Sequence, residues 1–284
     1  MKPLTLNEYL RNIFGERVQR IPIDAGLTCP NRENGSGCVF CDDTGSASSW
    51  IYKGMSMKEQ FDKGAGIAQR RYKSRKYIAY FQAYTSTAAS IKTLEAMYNE
   101  VLGYNGVVGL AISTRPDYVG KEVVTLLESL SKRTRLWVEL GAQSMHDKSL
   151  EWMKRGHSSD VFKDAVKRLT QKNIEVVGHI IFGLPTETKP QVLSSFKEFI
   201  STGIVGYKIH ALHIIKGTEL ARMYNQSPFD LLTMEEYISL VREALRITPK
   251  DMVVHRVTGE VTADRLVAPL WVLKKDELLR RIFE

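Results

Sequence analysis

The chain has 284 residues, of which 43% are hydrophobic and 25% are charged. These values are typical of a globular protein with one sizeable core, so a single catalytic α/β domain is the default. No run of about eighteen apolar residues occurs, and the first residues carry charges where a signal peptide needs an apolar segment. We therefore expect a cytoplasmic protein that does not engage a membrane.

The formal net charge of +8 attracts anionic partners and favours phosphate-bearing substrates. A solvated basic surface explains the same charge equally well. The dense basic tract at 70–76 has helical spacing, which places most of it on a water-facing side.

Apolar runs rich in β-branched residues alternate with amphipathic stretches of helix length. Six strand–helix repeats indicate a parallel sheet covered by helices. Because crossovers are right-handed, the carboxyl ends of the strands meet at one rim, where we expect the functional site. The predicted strands are 77–82, 107–112, 135–140, 174–182, 206–215 and 251–255, and the predicted helices are 57–75, 90–103, 120–132, 158–172, 188–202 and 233–247.

No low-complexity linker or short-period repeat divides the chain. We predict one α/β domain over residues 1–255. The remaining segment, 256–284, is predicted to be a C-terminal extension that packs on this domain.

All three cysteines of the chain lie close together, in the segment LTCPNRENGSGCVFCDD. An odd number argues against disulfides, and the glycines between Cys29 and Cys38 indicate a loop. Structural zinc normally has four ligands, no histidine precedes His146, and a ferredoxin-type cluster also needs a fourth thiolate. The three cysteines Cys29, Cys38 and Cys41 therefore favour an iron–sulfur cluster in which one iron has no protein ligand. A zinc site completed from a distance and a redox CxxC pair are the alternatives.

Further motifs follow in a fixed order: YFQAYTST (80–87), ISTRPDY (112–118), ELGAQSMHDKSLEWMKRGH (139–157), HIIFGLPTET (179–188), KIHALHIIKGT (208–218) and HRVTGEVTADRLVAPLW (255–271). With them, the chain resembles from end to end the YhcC/YtqA-like branch of the radical S-adenosylmethionine (SAM) superfamily, with a core of the Elp3/HemN type. The resemblance implies an α/β fold: an open partial (β/α)6 barrel of mostly parallel strands with a short C-terminal extension.

The resemblance also implies a 4Fe-4S cluster held by Cys29, Cys38 and Cys41, in a cluster loop over 29–41. SAM binds the open iron, and an external one-electron reductant such as flavodoxin or ferredoxin drives its cleavage to a 5'-deoxyadenosyl radical. The loop between the first two cysteines is shorter than is usual in the family, and Asp42 stands where an asparagine is usual. We expect the cluster to survive these differences and the substrate loop to be reshaped.

Several SAM contacts are implied by the resemblance. Phe40 approaches the adenine, although it could also form a hydrophobic plug beneath the loop. Gln82, Ala83 and Tyr84, at the end of the first predicted strand, receive the methionyl ammonium group.

Gln143 and Arg155 are similarly implied to contact the ribose and the carboxylate of SAM, because arginine forms charge-assisted bonds with carboxylates. A surface position on a helix is the alternative for Arg155. Gly183 ends a buried strand, and its missing Cβ would let the adenine lie against the backbone. A simple strand-to-loop turn is the alternative there.

The candidate substrate contacts are Asp42, Asp43, Lys208 and His210. The two carboxylates suit a guanine-like base edge, and they suit turn positions equally well. Lys208 and His210 share one face of a predicted strand, although a core histidine is an equal explanation of His210. His213 is three residues further on, so period-two alternation predicts that it faces the opposite side and that both histidines cannot line one pocket.

The predicted C-terminal extension contributes a polar group formed by Arg256, Asp264 and Arg265. This group is placed where it could close the barrel mouth. A structural ion pair is the interpretation that we favour for it.

The resemblance predicts a radical enzyme that acts on a modified nucleoside or nucleotide. The most specific hypothesis is a queuine lyase, which frees queuine from queuosine 5'-phosphate by cleaving its C–N glycosidic bond. A 7-deazapurine has no N7 to protonate, so hydrogen abstraction from the sugar is a suitable route to cleavage. The shortened cluster loop favours a small nucleotide over intact tRNA as the partner. A tRNA-modifying radical SAM enzyme of the YhcC/YtqA type is the alternative.

A second class of function is a non-catalytic, zinc-binding RNA adaptor that uses the basic surface and a cysteine knuckle. The missing fourth ligand and the lack of an aromatic and basic stacking platform argue against it.

Overall fold

Seven of the strands form one curled parallel sheet. The computed structural model describes residues 3–33, 35, 37–45 and 47–284. The strands are β1 Val18–Ile23, β2 Lys76–Phe81, β3 Val107–Thr114, β4 Arg135–Gln143, β5 Glu175–Phe182, β6 Gly206–Ala211, β7 Ile214–Ile215, β8 Val253–Arg256 and β9 Leu266–Ala268. The sheet order is β1-β2-β3-β4-β5-β6-β8, every neighbouring pair is parallel, and β7 and β9 form a separate antiparallel ribbon. The predicted open partial barrel is confirmed.

Helices cover the outside of the sheet. They are α1 Leu6–Phe14, α2 Pro30–Glu33, α3 Met57–Tyr72, α4 Ile91–Leu102, α5 Lys121–Ser131, α6 Asp147–Trp152, α7 Ser159–Thr170, α8 Lys189–Ile200, α9 Glu219–Gln226, α10 Met234–Ile247 and α11 Lys275–Phe283. Capping boxes explain why several begin where they do: Thr5, Ser56 and Thr233 each accept a hydrogen bond from the backbone of a glutamate three residues later. In the described part of the chain, no helix is long and apolar enough to cross a bilayer.

The first strand is missing from the sequence-based prediction. β1 reads VQRIPI, and its buried residues Val18, Ile21 and Ile23 are interrupted by half-buried polar residues and Pro22. As an edge strand it tolerates a proline, because one side of its backbone needs no sheet partner. The predicted strand 206–215 was also too long, because the chain leaves the sheet after Ala211 and β7 pairs with β9 instead.

The predicted cluster loop, 29–41, is not a loop throughout, because α2 forms one helical turn directly after Cys29. The segment includes Asn34 and Ser36, which lie outside the described residues.

The inside of the barrel is closed at its amino end by α1. Leu6 and Leu10 of this helix pack against Ile78, Trp137 and Val177, which project inward from β2, β4 and β5. The opposite face of the same strands packs against the outer helices in the main core, which is much larger. The barrel therefore has an apolar plug at its floor.

Side chains alternate along a strand, so the residues two positions beyond the plug face the same interior. There the lining becomes polar, with Tyr80 on β2, Glu139 on β4 and His179 on β5. The change from apolar to polar occurs within one repeat of each strand. It marks the depth at which the apolar plug ends and the polar part of the barrel interior begins.

The end of the chain is integrated into the fold. β8 adds to the sheet beside β6 and ends at Arg256, which is the first residue of the predicted extension. The last helix, α11, buries Leu278 and Ile282 in the main core beside α10. The residues after 256 thus pack on the barrel, and their separation as an extension stays a prediction.

Candidate active site

A cavity opens at the carboxyl ends of the parallel strands, as predicted. It encloses about 1260 Å³, counting its open mouth. Its lining comes from the ends of β2 to β6, from β8 and from the cysteine segment. The lining residues include Cys29, Arg32, Cys38, Phe40, Cys41, Tyr80, Gln82, Tyr84, Ser113, Arg115, Glu139, Gly141, Gln143, Arg155, His179, Ile181, His210, His213 and Arg256.

The cysteine segment is held in place by Arg32. Its Nη2 donates to the carbonyl oxygens of Cys41 at 3.0 Å and Asp42 at 2.5 Å. The Arg32 guanidinium also lies 5.7 Å from the ring centroid of Tyr84, whose hydroxyl donates to the carbonyl oxygen of Asp43. Gly45 packs so closely against this ring that a Cβ there would lie 2.4 Å from it. The segment is thereby fastened to the end of β2.

The sulfur of Cys38 lies among N–H donors. Nη1 of Arg155 lies 3.2 Å from it, and Nδ2 of Asn31 lies 3.4 Å from it. Such donors stabilise an electron-rich sulfur, as found in a thiolate or a metal-bound thiolate. Three free thiols, Cys29, Cys38 and Cys41, with N–H donors at one sulfur suit an iron–sulfur cluster with one open iron.

Burial, with a smaller contribution from Cys38, raises the pKa of Cys41 to about 11, so this thiol must lose its proton when it binds metal. Among the described residues, no three His, Cys, Asp or Glu side chains are gathered to hold a single metal ion.

Arg155 is buried, so the surface-helix interpretation of this residue is wrong. Its Nη2 donates to the carbonyl oxygen of Gly141 at 2.8 Å and to Nε2 of His157 at 3.0 Å. Burial, together with the charge of Arg155, lowers the pKa of His157 to about 4, which leaves this imidazole neutral and able to accept. Nε of Arg155 is buried and has no hydrogen-bond partner in the described residues.

A second polar group surrounds the carboxylate of Glu139, which is almost completely buried. Burial opposes its ionisation, but Lys208 and His179 outweigh burial and hold the pKa of Glu139 well below its usual range. Four groups donate to Oε2 of Glu139: the hydroxyl of Tyr80 at 2.8 Å, Oγ of Ser113 at 3.3 Å, Nε2 of His179 at 2.9 Å and Nζ of Lys208. The other oxygen, Oε1, accepts from Nε1 of Trp137 at 3.1 Å and lies 3.5 Å from Nη1 of Arg20.

Comparison with known proteins decides the family. Residues 26–199 match the Radical SAM superfamily model, and residues 204–284 match that of the Radical_SAM C-terminal domain. The chain belongs to the radical SAM superfamily.

Two relatives place it in the YhcC/YtqA branch. It is 36% identical to the uncharacterized protein YtqA of Bacillus subtilis, over 98% of this chain and 87% of that protein. It is 34% identical to protein YhcC of Escherichia coli, over 91% of this chain and 84% of that protein. The predicted branch is confirmed. The chain is a radical SAM enzyme, so the hypothesis of a non-catalytic, zinc-binding RNA adaptor is rejected. Its cofactors are a 4Fe-4S cluster and SAM.

A solved structure agrees on the fold. The archaeal Elp3 of Methanocaldococcus infernus, with residues 1–46 deleted, superposes with a TM-score of 0.69 at 20% identity, over 94% of this chain and 64% of that chain. The chain thus spans less than two thirds of the length of that Elp3 chain.

Most residues with a predicted SAM contact line the cavity: Phe40, Gln82, Tyr84, Gln143 and Arg155. The structure does not place Ala83 or Gly183 in the lining of this cavity. Ala83 is buried behind its two neighbours.

Gly183 is better explained as a strand-to-loop turn. Its φ is +90°, and a Cβ there would lie 2.8 Å from a side-chain atom of Leu232. The space next to Gly183 is therefore already filled by Leu232, whereas Ile181, two residues earlier on β5, lines the cavity together with His179.

The two candidate substrate residues on β6, Lys208 and His210, differ in whether they line the cavity. Lys208 is only 2% exposed and its Nζ also donates to the hydroxyl of Tyr80 at 3.0 Å, so it lies beneath the cavity lining as a structural cation. His210 does line the cavity, and so does His213. The prediction that both histidines cannot line one pocket was wrong. β6 ends at Ala211, so the period-two alternation does not continue to residue 213.

Asp42 and Asp43 meet Arg265 of the C-terminal segment. Nη2 of Arg265 lies 2.9 Å from Oδ2 of Asp42 and 3.2 Å from Oδ1 of Asp43. Oδ1 of Asp42 also accepts from the backbone and hydroxyl of Thr44, at 2.9 and 2.7 Å. Neither aspartate lines the cavity, so the turn-stabilising interpretation describes both better than base recognition.

The sequence-based analysis missed Tyr80, Arg115, Glu139 and His179 as lining residues. A signal was present for Glu139, because an acidic residue inside an otherwise apolar strand must find buried partners. Arg115 follows β3 directly, at the rim where functional residues were expected.

Proposed function

We propose that Cys29, Cys38 and Cys41 hold the 4Fe-4S cluster of this enzyme and that SAM lies in the cavity beside them. When bound, SAM supplies a radical that abstracts a hydrogen atom from the substrate. The residues that would contact SAM are Phe40, Gln82, Tyr84, Gln143 and Arg155. Arg155 supports this assignment best, because it is buried, its Nε has no hydrogen-bond partner among the described residues, and its Nη1 contacts the sulfur of Cys38.

We further propose that the substrate is a small modified nucleotide and that the enzyme is a queuine lyase. In this reaction the sugar of queuosine 5'-phosphate loses a hydrogen atom, the C–N bond to the base breaks, and queuine leaves with a hydrogen atom on its ring nitrogen, so the sugar phosphate is left with one unsaturation. Acid-assisted departure of the base is poorly suited to a 7-deazapurine, which has no N7 to protonate. Removal of a hydrogen atom from the sugar offers a different route to cleavage.

The polar interior of the cavity carries this proposal. Tyr80, His179, His210 and Arg256 line it below the cysteines. Tyr80 and His179 already bond Glu139, and His210 contacts Arg256, so an apolar substrate would desolvate only their remaining donors and acceptors, at a cost of about 1–3 kcal/mol for each one left unpaired. A nucleotide offers hydroxyl groups, a polar base edge and a phosphate to pair with them.

The rim of the cavity supports a small substrate over intact tRNA. Arg265 ties the C-terminal segment to Asp42, which follows the cavity-lining Cys41. Two chain segments are thereby joined next to the cysteine segment, and we take this contact to favour a small nucleotide over a bulky polymer. An external one-electron reductant, such as flavodoxin or ferredoxin, would complete the reaction system.

The test is anaerobic reconstitution of the cluster, followed by incubation with SAM, reductant and queuosine 5'-phosphate and mass spectrometry of all products. We expect free queuine and 5'-deoxyadenosine or recovered SAM. Cys41→Ala, which cannot hold the cluster, is the negative control and should give no queuine. Cleavage of SAM without any release of queuine would contradict the lyase and direct the search to other modified nucleotides.

A further inference from the structure

Arg256 is the cavity-lining arginine farthest along the sheet from β1, and its guanidinium has no carboxylate partner within ion-pair distance among the described residues. Its Nη2 lies 3.0 Å from Nε2 and 3.2 Å from Nδ1 of His210. Its Nε is buried and has no hydrogen-bond partner in the described part of the chain. A buried cation that lacks a counter-ion is costly unless a ligand provides one.

The nearby carboxylates are already engaged. Glu139 is bound by Lys208 and His179 and faces Arg20. Glu260, whose charge also reaches Arg256, is bound by Nζ of Lys275 at 2.5 Å. Neither carboxylate neutralises Arg256 by direct contact, so this side of the interior carries an excess of positive charge.

His210 completes the arrangement as a neutral partner. Burial, with a further contribution from Arg256, holds the pKa of His210 well below its usual range. A neutral imidazole accepts one hydrogen bond from Arg256 and keeps a second ring nitrogen for a ligand. The ring centroids of His179 and His210 lie 5.9 Å apart, so two neutral histidines stand beside the guanidinium.

The other cavity-lining arginines have different partners. Arg115 forms a two-bond pair with Asp117, at 3.0 and 2.8 Å, and Arg155 contacts Cys38. Arg32 holds the carbonyl oxygen of Cys41. These three lie on the side of the cysteines, whereas Arg256 lies on β8, beside the histidines of β5 and β6.

We propose that Arg256 and His210 form a subsite for the phosphate monoester of the substrate. The guanidinium offers several N–H donors in one plane, which match the oxygen atoms of a phosphate group. His210 orients the guanidinium and offers a further ring nitrogen. This inference rests on the proposed nucleotide substrate, and it states which residues distinguish a nucleotide from a nucleoside.

The test uses the cluster-loaded protein with SAM and measures binding of ribose 5-phosphate, inorganic phosphate and ribose by calorimetry. We expect ribose 5-phosphate and inorganic phosphate to bind and ribose not to bind. Arg256→Gln should weaken ribose 5-phosphate binding at least tenfold. Arg256→Lys keeps the charge without the planar donors and should give an intermediate loss. The matched control is Arg242→Gln, because Arg242 lies on α10 and donates to the carbonyl oxygen of Arg281. It should bind ribose 5-phosphate as the wild type does.

Equal binding of ribose and ribose 5-phosphate by the wild-type protein would overturn the subsite, and so would unchanged affinity in Arg256→Gln. The wild-type comparison and Arg256→Lys decide the matter if Arg256→Gln does not fold. Release of queuine is measured separately, from queuosine and from queuosine 5'-phosphate. If neither compound is cleaved while ribose 5-phosphate binds through Arg256, the lyase fails and the subsite stands. If both are cleaved with equal kcat/KM and ribose 5-phosphate does not bind, the subsite fails and the lyase stands.

Discussion

Arg155 donates from Nη1 to the sulfur of Cys38 across 3.2 Å, and from Nη2 to the carbonyl oxygen of Gly141 across 2.8 Å. One buried guanidinium thereby connects the cysteine segment with the end of β4. The position of Cys38 relative to the sheet depends on this connection. The arginine thus positions Cys38, a proposed ligand of the cluster, and it is also a proposed contact of SAM.

The first prediction concerns Arg155→Ala. We expect the variant to retain less iron and sulfide than the wild type, because Cys38 loses an N–H donor and Gly141 loses its side-chain partner. We also expect about tenfold weaker SAM binding, which is 1.4 kcal/mol and near the usual contribution of one hydrogen bond to a charged group. Iron analysis and calorimetry provide the measurements. Lys154→Ala removes the neighbouring, exposed cation and should change neither quantity. Normal iron content and normal SAM affinity in Arg155→Ala would show that Arg155 neither positions Cys38 nor contacts SAM.

The second prediction concerns the three cysteines. Alanine at Cys29, Cys38 or Cys41 should abolish the brown colour and the bound iron of anaerobically purified protein, because a three-thiolate site has no spare ligand. Metal analysis and the visible spectrum provide the measurements. The wild-type protein should contain the iron and sulfide of one 4Fe-4S cluster. A colourless wild-type protein with one zinc per chain would refute the ligand assignment.

The fold could be predicted where a strand is buried on both faces. Segment 107–112 has no polar side chain, and segment 135–140 is apolar except for Arg135 and Glu139; both are strands of the sheet. β1 could not be recognised, because its inward face carries Arg20, whose charge faces Glu139 of β4. A partner so distant in sequence leaves no local pattern.

The candidate site was predictable to the extent that it depends on local sequence. Cys29, Cys38 and Cys41 are close in sequence, and the structure brings them to one cavity. The roles of Arg256 and Glu139 could not be predicted in this way, because they depend on which side chains the sheet places opposite each residue. His213 shows a further limit: the end of a strand decides which way a side chain faces, and strand ends are poorly marked in sequence.

The third prediction concerns the buried pair of Glu139 and Lys208. Glu139→Gln leaves the cation of Lys208 without its counter-ion, so the free energy of unfolding should fall by about 3–5 kcal/mol. Adding Lys208→Met should restore part of the loss, because the buried cation is then absent. Urea unfolding of all three proteins provides the measurement. Glu128→Gln, which removes a surface carboxylate, should leave the unfolding midpoint unchanged. A double variant as unstable as Glu139→Gln alone would show that the pair does not act as a unit.

The fourth prediction concerns acid sensitivity. Burial, followed by the charge of Lys208, lowers the pKa of His179 from its ordinary value of 6.5 to about 4. Between these two values the unfolded chain binds a proton that the folded protein does not, so the free energy of unfolding falls as the pH falls through this window. The contribution of His179 approaches 1.4 kcal/mol per pH unit. Urea midpoints at pH 7, 6 and 5 should therefore decline less steeply in His179→Gln. Identical slopes in the wild type and the variant would contradict this.

The last prediction concerns substrate size. Arg265 holds Asp42 and Asp43, which follow the cavity-lining Cys41 in the chain. We expect queuosine 5'-phosphate to be cleaved faster than queuosine-containing tRNA, because the nucleotide enters without parting this contact. A tRNA substrate would bind through many phosphate contacts, so its turnover would fall steeply as salt rises. Turnover of both compounds should be measured at two salt concentrations, in the wild type and in Arg265→Ala. Releasing the contact should narrow the difference between the two substrates, whereas Arg133→Ala, a surface arginine that bonds Asn99, should not. Faster cleavage of the tRNA by the wild-type enzyme would refute the preference for a small nucleotide.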